Sequence, residues 1–193
     1  MSRLPVGILL AAGQSRRFGR NKLLHPTSND TPMLLVVAKK LVSVLPDTIV
    51  VISQALTPYT KRLEQLGLRV VVNEQAHCGM GSSIACGVRA SQDAAGWLIT
   101  LADMPYINTE TITQLSNSIN DGAAIVAPVY NKQRGHPVGF NQYYKDELLA
   151  LSDDVGARHI IAGHQNQLEL IPTSDVGVIT DIDQASDIYA SIE

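Results

Sequence analysis

The sequence predicts an α/β protein in which a mainly parallel sheet is covered by helices on both faces. Short, continuously apolar segments such as residues 5–10 and 48–52 are typical of strands buried on both faces. Segments with apolar residues at helical spacing alternate with them along the chain, which is the pattern of parallel strands joined by helices. At 193 residues the chain is long enough to bury a substantial core, and a single domain is expected.

Each element of the first two thirds is predicted from its hydrophobic period and its flanking turn residues. Residues 32–45 carry apolar side chains at helical spacing, Gly67 follows the second helix as a C-terminal stop, and Asn108 is the expected N-cap of the fourth helix. The strands are predicted at residues 5–10, 48–52, 68–72, 96–101 and 123–129. The helices are predicted at residues 32–45, 57–66, 82–91 and 109–119.

The C-terminal third is predicted to extend over the same edge of the sheet rather than to form a separate unit. Residues 132–140 (KQRGHPVGF) are expected to be extended, and residues 153–161 (DDVGARHII) to form a short capped helix. Residues 177–188 (GVITDIDQASDI) are interpreted as a strand, a cluster of carboxylates and a final helix. No linker-like stretch divides these segments from the rest of the chain.

Composition excludes several classes of protein. The net charge of −3 argues against a general nucleic-acid-binding protein, which would usually be basic. No apolar stretch reaches the length of a membrane helix, and residues 6–12 lack the features of a signal peptide. Cys78 and Cys86 are the only cysteines, which fits a reducing compartment better than a disulfide. We therefore expect a cytoplasmic protein with no nucleic-acid or membrane partner.

The loop after the first strand is unusually basic. Ligands of parallel α/β sheets bind beyond the carboxyl ends of the strands, and residues 9–24 (LLAAGQSRRFGRNKLL) place four cations there among glycines. Their spacing matches neither the phosphate-binding GxxxxGK[ST] loop nor the dinucleotide GxGxxG fingerprint. The loop is either a polyanion site or an ordinary solvated basic loop, and its position directly after a buried strand favours the polyanion site. The four cations are Arg16, Arg17, Arg20 and Lys22.

Carboxylates follow two other apolar segments. Asp103 comes just after the fourth strand, where it could bind Mg²⁺ beside phosphates or merely cap the turn before Pro105. Asp181 and Asp183 follow the apolar run near the C-terminus, and Asp103 with one of them would make a two-carboxylate Mg²⁺ site. Asp187 is expected to be solvated on the final helix.

These motifs together resemble a known family. The segment LLAAGQSRRFGRNKLL is similar to the LAAGxSxRxGxxK signature of nucleotidyltransferases of the molybdenum cofactor type. The later segments GMGSSIACGV, LADMP, RGHPVGF, DDVGAR and DIDQASD resemble, in matching order, the motifs of the molybdenum cofactor cytidylyltransferase subgroup. The resemblance implies a Rossmann-like three-layer α/β/α fold. It also implies a nucleotide-binding part at about residues 1–105 and an acceptor-binding and closing part at about residues 106–193.

The resemblance also assigns roles to individual residues. Arg17, Lys22 and Asp103 match catalytic positions, and Asp103 and Asp183 match the metal ligands, with Asp181 as the alternative second ligand. The implied nucleotide-binding residues are Leu10, Ala11, Ala12, Gly13, Ser15, Arg17, Lys22, Gly79, Gly81, Ser82 and Ser83. The acceptor-binding candidates are Arg134, Gly135, His136 and Arg158. Two of these have an alternative: His136 could instead make a structural hydrogen bond, and Arg158 could pair with Asp154 on its own helix.

The implied reaction is a transfer of CMP from CTP to the terminal phosphate of a molybdopterin-type cofactor, with Mg²⁺ as cofactor and pyrophosphate as leaving group. The LAAG version of the first motif, with Ala12 before Gly13, is the one associated with CTP rather than GTP. A target molybdoenzyme or its maturation factor is a further implied partner. The alternatives are another phosphorylated acceptor or nucleotide, or a maturation factor that binds both without turnover.

Overall fold

Strands of both directions form one mixed sheet of eight strands in the part of the chain that the structure describes. The computed structural model describes residues 4–13, 21–27, 30–152, 154–183 and 187. The strands are β1 (Val6–Ala11), β2 (Thr48–Ile52), β3 (Arg69–Val72), β4 (Gly96–Leu101), β5 (Ile125–Tyr130), β6 (Gln133–Arg134), β7 (Val138–Asn141) and β8 (Leu168–Pro172). The helices are α1 (Met33–Val44), α2 (Thr60–Glu64), α3 (Met80–Arg89), α4 (Thr109–Asn120), α5 (Lys145–Leu149) and α6 (Arg158–Gly163).

The topology places β1 at the centre of a parallel half-sheet. Strands β3, β2, β1 and β4 are adjacent in that order and parallel, with Leu9 opposite Val50 on one side and Thr100 on the other. The antiparallel strand β7 then joins β4 to β5, while β8 pairs in parallel with the other edge of β5. Because β1 and β4 run in the same direction, the residues that follow both strands meet at one edge of the sheet.

The core has two parts, one on each face of the sheet. Leu9 of β1 packs with α1, α2 and α4, whereas Ile8 and Leu10 point to the opposite face and pack with α3, α5 and α6. This alternation explains why β1 is apolar at every position, since both of its faces are covered. The predicted three-layer α/β/α arrangement is therefore confirmed.

Several predicted elements have different bounds. The helix expected over residues 57–66 is a 3₁₀ helix, Gln54–Tyr59, followed by α2; Pro58 has no N–H for an α-helical bond at this point. Helix α3 begins at Met80 rather than at residue 82, because Gly79 has a φ of 113° and forms the N-cap. The helix expected over residues 153–161 begins at Arg158, after a series of turns.

One prediction about the C-terminal third was wrong, and one strand there was not predicted. The strand expected from residue 177 is a 3₁₀ helix, Val176–Ile179, because the side chain of Asp175 accepts a hydrogen bond from Gly177 N and stabilises a turn. Strand β8 was missed altogether. Asn108 is the N-cap of α4 as predicted, but its side chain makes no capping bond, and its backbone N–H donates to Asp175 Oδ2 at 2.8 Å.

The C-terminal segment does lie against the predicted edge of the sheet. Ile182 N donates to Asp103 O at 2.9 Å, and His136 N donates to Val178 O at 2.8 Å. Asp187, expected to be solvated, instead accepts a hydrogen bond from Asp183 N at 2.9 Å. None of the described helices combines the length and the apolar character that a membrane span requires.

Candidate active site

The site centres on one lysine held between two carboxylates. Lys22 Nζ lies 2.9 Å from Asp103 Oδ2 and 3.1 Å from Asp183 Oδ1. Lys22 opens a short 3₁₀ helix, Lys22–Leu24, whose first turn is stabilised by Asn21 Oδ1 accepting from Leu23 N. Leu23 is buried and anchors this turn to the core, so the ammonium group projects from a fixed base.

The electrostatics of this cluster keep Lys22 charged. Burial of the ammonium group lowers its pKa, but hydrogen bonds and charge attraction to Asp103 and Asp183 outweigh the burial. The pKa of Lys22 is therefore raised above its ordinary value. The side chain of Asp103 is 23% exposed and that of Asp183 is 55% exposed, so Asp103 is the better shielded of the two carboxylates.

The same cluster suits a divalent cation bound together with phosphate. Both carboxylate oxygens lie within hydrogen-bond distance of one nitrogen, so a cation could contact both at the same place. Mg²⁺ prefers one or two carboxylates supplemented by substrate oxygens and water. Within the described ranges no group of three or more His, Cys, Asp and Glu side chains could hold a metal by itself, so oxygens from the substrate would have to complete the coordination.

A cleft of about 470 Å³ opens in front of this cluster. Leu10 and Ala12 form its floor where β1 ends, Lys22 and Asp103 stand at one wall, and Gly79 and Met80 at the start of α3 form the opposite wall. The first N–H groups of α3 have no intrahelical acceptors and carry the positive end of the helix dipole. The cleft therefore lies beside a cation and its two carboxylate partners and is lined by the start of a helix, at one end of the sheet.

The turn before α3 is organised by a residue not singled out from the sequence. Asn73, 6% exposed, directly follows β3, and its Nδ2 lies 3.0 Å from both Ser82 Oγ and Ser83 Oγ. Its Oδ1 accepts from Gln75 N at 2.9 Å, which shapes the loop that leads to Gly79. Ser83 also lines the cleft, whereas Ser82 is turned back towards the carbonyl of Gly79.

A second cavity of about 360 Å³ adjoins the first. Its floor is apolar, with Ile99, Val138 and Phe140 from the sheet, and its polar side chains are Arg134, His136, Asp154 and Arg158. Met80, Leu101 and Asp154 line both cavities, so the two cavities meet at these residues. Ligands in the two cavities would lie next to each other.

The polar groups of the second cavity suit an anion. Burial lowers the pKa of Arg134, and the charge of Arg158 lowers it further, so the two guanidinium groups lie within electrostatic range of each other. His136 Nδ1 is buried and has no hydrogen-bond partner among the described residues. Burial and the charge of Arg134 lower the pKa of His136 against the opposite effect of Asp103, which favours the neutral imidazole.

The structure thus brings most of the predicted site residues to one edge of the sheet. Ala11 is buried with its side chain in the core, Gly81 is buried within α3, and Gly135 packs so closely on Val178 that a Cβ would overlap its backbone. Asp181 is exposed, while Asp183 contacts Lys22. Ser15 and Arg17, together with Arg16 and Arg20, lie outside the described residues.

Three residues of this region were not predicted from the sequence to belong to the site or its surroundings: Asn73, Asp154 and Asp175. Asn73 lies directly after a strand, and its position was the signal that could have identified it. Asp154 was considered only as a partner of Arg158, although it faces both cavities. Asp175 caps the turn at Gly177, and its bonds to Asn108 and Thr111 are long-range contacts that no local sequence pattern indicates.

A Rossmann-like sheet with a cation, carboxylates and a helix N-terminus at its carboxyl edge defines an α/β protein built to bind a phosphorylated nucleotide. Residues 7–171 match the model of the MobA-like NTP transferase domain. The chain belongs to this family and is a nucleotidyltransferase, which confirms the predicted enzyme class.

Curated relatives cover nearly the whole chain. The nicotine blue oxidoreductase of Paenarthrobacter nicotinovorans is 28% identical over 95% of this chain and 94% of its own length. The purine catabolism protein PucB of Bacillus subtilis is 28% identical over 92% of this chain and 91% of its own length. A probable molybdenum cofactor guanylyltransferase of Bacillus cytotoxicus is 28% identical over 77% and 74%. These names describe different activities, so the relatives agree on the fold family and not on a substrate.

Solved structures agree with this fold. The Rv0371c protein of Mycobacterium tuberculosis superimposes with a TM-score of 0.82 at 22% identity, covering 98% of both chains. A manganese complex of that protein has a TM-score of 0.81 at 23% identity over 97% of both chains. Molybdopterin-guanine dinucleotide biosynthesis protein A of Archaeoglobus fulgidus has a TM-score of 0.72 at 14% identity, covering 96% of both chains.

Proposed function

We propose that this nucleotidyltransferase transfers CMP from CTP to the terminal phosphate of a molybdopterin-type cofactor and releases pyrophosphate. The observation that carries the proposal is the Lys22–Asp103–Asp183 cluster in front of a cleft that adjoins a second, partly cationic cavity. The probable molybdenum cofactor guanylyltransferase among the relatives supports a molybdopterin-type acceptor.

The nucleotide occupies the first cleft in this proposal. Lys22 binds the triphosphate, and Gly79, Met80 and Ser83 at the start of α3 contact the rest of the nucleotide. Leu10, Ala12 and Gly13 at the end of β1 line this cleft, and the side chain of Ala11 between them lies in the core. The backbone of Ala11 is a predicted nucleotide ligand, as are Ser15 and Arg17 of the following loop. Ala12 lines this cleft, and the LAAG form of the first motif, with Ala12 before Gly13, is the form that the family resemblance associates with CTP.

Asp103 and Asp183 would hold the metal, together with phosphate oxygens of the substrate. A divalent ion such as Mg²⁺ supplies charge neutralisation on the phosphates when it binds. The two carboxylates are suitable metal ligands because both already contact one cation, the ammonium group of Lys22. Asp181, two residues before Asp183 and exposed, is the less suitable second ligand.

The acceptor occupies the second cavity. Arg134 and Arg158 bind its anionic group, and His136, which lines the same cavity, contacts it as well. Gly135 allows the backbone before His136 to lie directly against Val178, which holds the imidazole at the cavity. The residues to about 105 thus serve the nucleotide, and those from about 106 onward serve the acceptor and close the site.

The chemistry needs alignment and charge stabilisation more than proton transfer. A phosphate monoester has a second pKa of about 6, so the acceptor phosphate is already a nucleophile near pH 7. It attacks the α-phosphorus of CTP, and the bond to the leaving pyrophosphate breaks. Lys22 stabilises the negative charge that develops on the leaving group, as positioned cations do in phosphoryl transfer.

The base and the acceptor are tested by pyrophosphate release from each of the four NTPs, with Mg²⁺ and purified molybdopterin cofactor. CTP should give the fastest release, and Ala12→Gly should reduce the preference for CTP over GTP. Faster release with GTP in the unchanged protein would replace cytidylyl by guanylyl transfer. Release only with a sugar phosphate or polyol phosphate as acceptor would refute the molybdopterin assignment.

The acceptor cavity is tested with Arg134→Ala and Arg158→Ala. Each should raise the KM for the acceptor by about tenfold or more, as expected for the loss of a hydrogen bond to a charged group. The KM for CTP should stay unchanged, because neither arginine lines the first cleft among the described residues. Arg62→Ala, on the exposed side of α2, is the matched control. Unchanged acceptor KM in both variants would contradict the assignment.

A further inference from the structure

Asp175 is a buried carboxylate that lies outside both cavities. It is 6% exposed, and its two oxygens accept three hydrogen bonds from different parts of the chain. Oδ1 accepts from Gly177 N at 3.0 Å, and Oδ2 accepts from Asn108 N at 2.8 Å and from Thr111 Oγ1 at 2.7 Å. With both oxygens occupied in this way, Asp175 is not available as a ligand.

These bonds join the two segments that carry the metal-binding carboxylates. Asn108 ends the loop that begins with Asp103, and Gly177 lies at the start of the segment that leads to Asp183. The segments are in close contact, since a Cβ on Gly177 would overlap the backbone of Tyr106. Asp175 therefore links the loop after β4 to the C-terminal segment, because it accepts hydrogen bonds from a backbone N–H group of each.

Lys40 completes the attachment from the side of α1. Its Nζ donates to Pro105 O at 2.7 Å and to Ile107 O at 3.0 Å. Burial lowers the pKa of Lys40, and the negative charge of Asp175 partly opposes this effect. The two buried groups therefore partly offset each other's cost of burying a charge. The carbonyls of Pro105 and Ile107 and the N–H of Asn108 are thus bonded to side chains from two other elements.

The second attachment lies at the other end of the same two segments. Ile182 N donates to Asp103 O at 2.9 Å, and the Ile182 side chain is fully buried. Without the Asp175 bonds the segment would still be held at residue 182 and at Val178, whose carbonyl accepts from His136 N, but its direct bond to the loop after β4 at Asn108 would be lost. Asp183 could then shift relative to Asp103. The distance between the two carboxylates therefore depends on both attachments.

We propose that Asp175 is a positioning residue that sets the geometry of Asp103 and Asp183 for the divalent cation. This inference rests on the proposed function, because it assumes that these two carboxylates hold the cation. Partners that orient metal ligands typically change metal affinity by 10–100-fold when they are removed.

Asp175→Asn is the decisive variant. Each carboxylate oxygen of Asp175 accepts from a backbone N–H group. In either orientation of the Asn amide, its NH₂ group would face one of these N–H groups, and that hydrogen bond would be lost. We expect the midpoint of Mn²⁺ binding in the presence of CTP, measured by electron paramagnetic resonance of free Mn²⁺, to rise on the order of tenfold. Turnover should recover at high Mn²⁺ concentration.

Two controls separate positioning from a general loss of stability. Thr111→Val removes only the hydroxyl donor and keeps both backbone bonds, so it should keep the Mn²⁺ midpoint of the unchanged protein. Ser91→Ala destabilises the opposite end of the sheet, where Ser91 Oγ accepts from Trp97 Nε1, and should also keep that midpoint. If Asp175→Asn does not fold, Asn108→Pro is tested in its place. The φ of Asn108 is −78°, which proline can adopt, and the substitution removes the backbone N–H that donates to Asp175 Oδ2.

The results distinguish the two proposals. If Asp103→Asn weakens Mn²⁺ binding while Asp175→Asn, or its substitute, binds Mn²⁺ at the midpoint of the unchanged protein, the role of Asp175 is refuted. If Asp103→Asn itself leaves Mn²⁺ binding unchanged, the proposed metal site is refuted instead. If Ser91→Ala weakens Mn²⁺ binding as much as Asp175→Asn does, Asp175 only stabilises the fold and the proposed positioning role is refuted.

Discussion

The ammonium group of Lys22 lies 2.9 Å from a carboxylate oxygen of Asp103, in front of the ends of β1 and β4. The ammonium group of Lys22 thus contacts the same two carboxylates, Asp103 and Asp183, that a divalent cation would contact. A bound cation would repel the ammonium and free it to contact phosphate oxygens, so the binding of metal and of nucleotide should be coupled. The first two predictions concern this contact.

Lys22→Ala should lower kcat/KM for CTP by about 10²–10³-fold, because a positioned donor to developing charge contributes on this order. The fold should be retained, since the side chain lies at the cleft and not in the core. Lys39→Ala, on the exposed side of α1, is the charge-matched control and should retain full turnover. Steady-state pyrophosphate release measures both, and a Lys22→Ala enzyme as fast as the control would exclude Lys22 from the reaction.

Asp103→Asn should reduce turnover more than Asp183→Asn, because Asp103 is shielded from solvent and Asp183 is 55% exposed. We expect a higher Mg²⁺ concentration to restore turnover in Asp183→Asn but not in Asp103→Asn. Asp181→Asn is the neighbouring control and should behave as the unchanged enzyme. Initial rates over a Mg²⁺ titration test the order, and a larger loss in Asp181→Asn than in Asp183→Asn would exchange their roles.

His136 should make the protein less stable as the pH falls below about 6.5, the ordinary pKa of histidine. Burial and Arg134 lower its pKa in the folded state, so in this range the unfolded chain binds the proton more strongly. The free energy of unfolding therefore rises with pH between the lowered pKa and 6.5. Urea unfolding at pH 5.5 and 7 should show a smaller difference for His136→Gln than for the unchanged protein. The exposed His159→Gln should show the unchanged difference, and equal pH dependence in all three proteins would contradict the burial effect.

Gly87→Ala should destabilise the fold by about 1–3 kcal/mol, the usual effect of overpacking. A Cβ at this position would lie 2.8 Å from Ile8 Cγ2, where α3 packs directly on β1. Gly163→Ala at the end of α6 meets no atom within 4 Å and should stabilise the fold by up to about 1 kcal/mol. Chemical unfolding measures both, and a neutral Gly87→Ala would show that α3 can move away from the sheet.

Local patterns in the sequence were enough to predict the layers of the fold and the edge that carries the site. The apolar run of β1 and the positions of Lys22 and Asp103 after β1 and β4 depend on short-range periodicity and on strand order. The weakly apolar β8 was missed because its side chains are mostly exposed and carry little hydrophobic signal. Pro58 was overlooked as the cause of a 3₁₀ first turn before α2.

The sequence by itself determined the α/β class, the family motifs and the residue types gathered at the carboxyl edge of the sheet. Only the tertiary structure decided that Asp183 rather than Asp181 contacts Lys22, that Asp154 faces both cavities, and that Asp175 joins two distant segments. The physical reason is that periodicity reports which side of an element is buried, whereas these contacts depend on how segments far apart in the chain are oriented against each other.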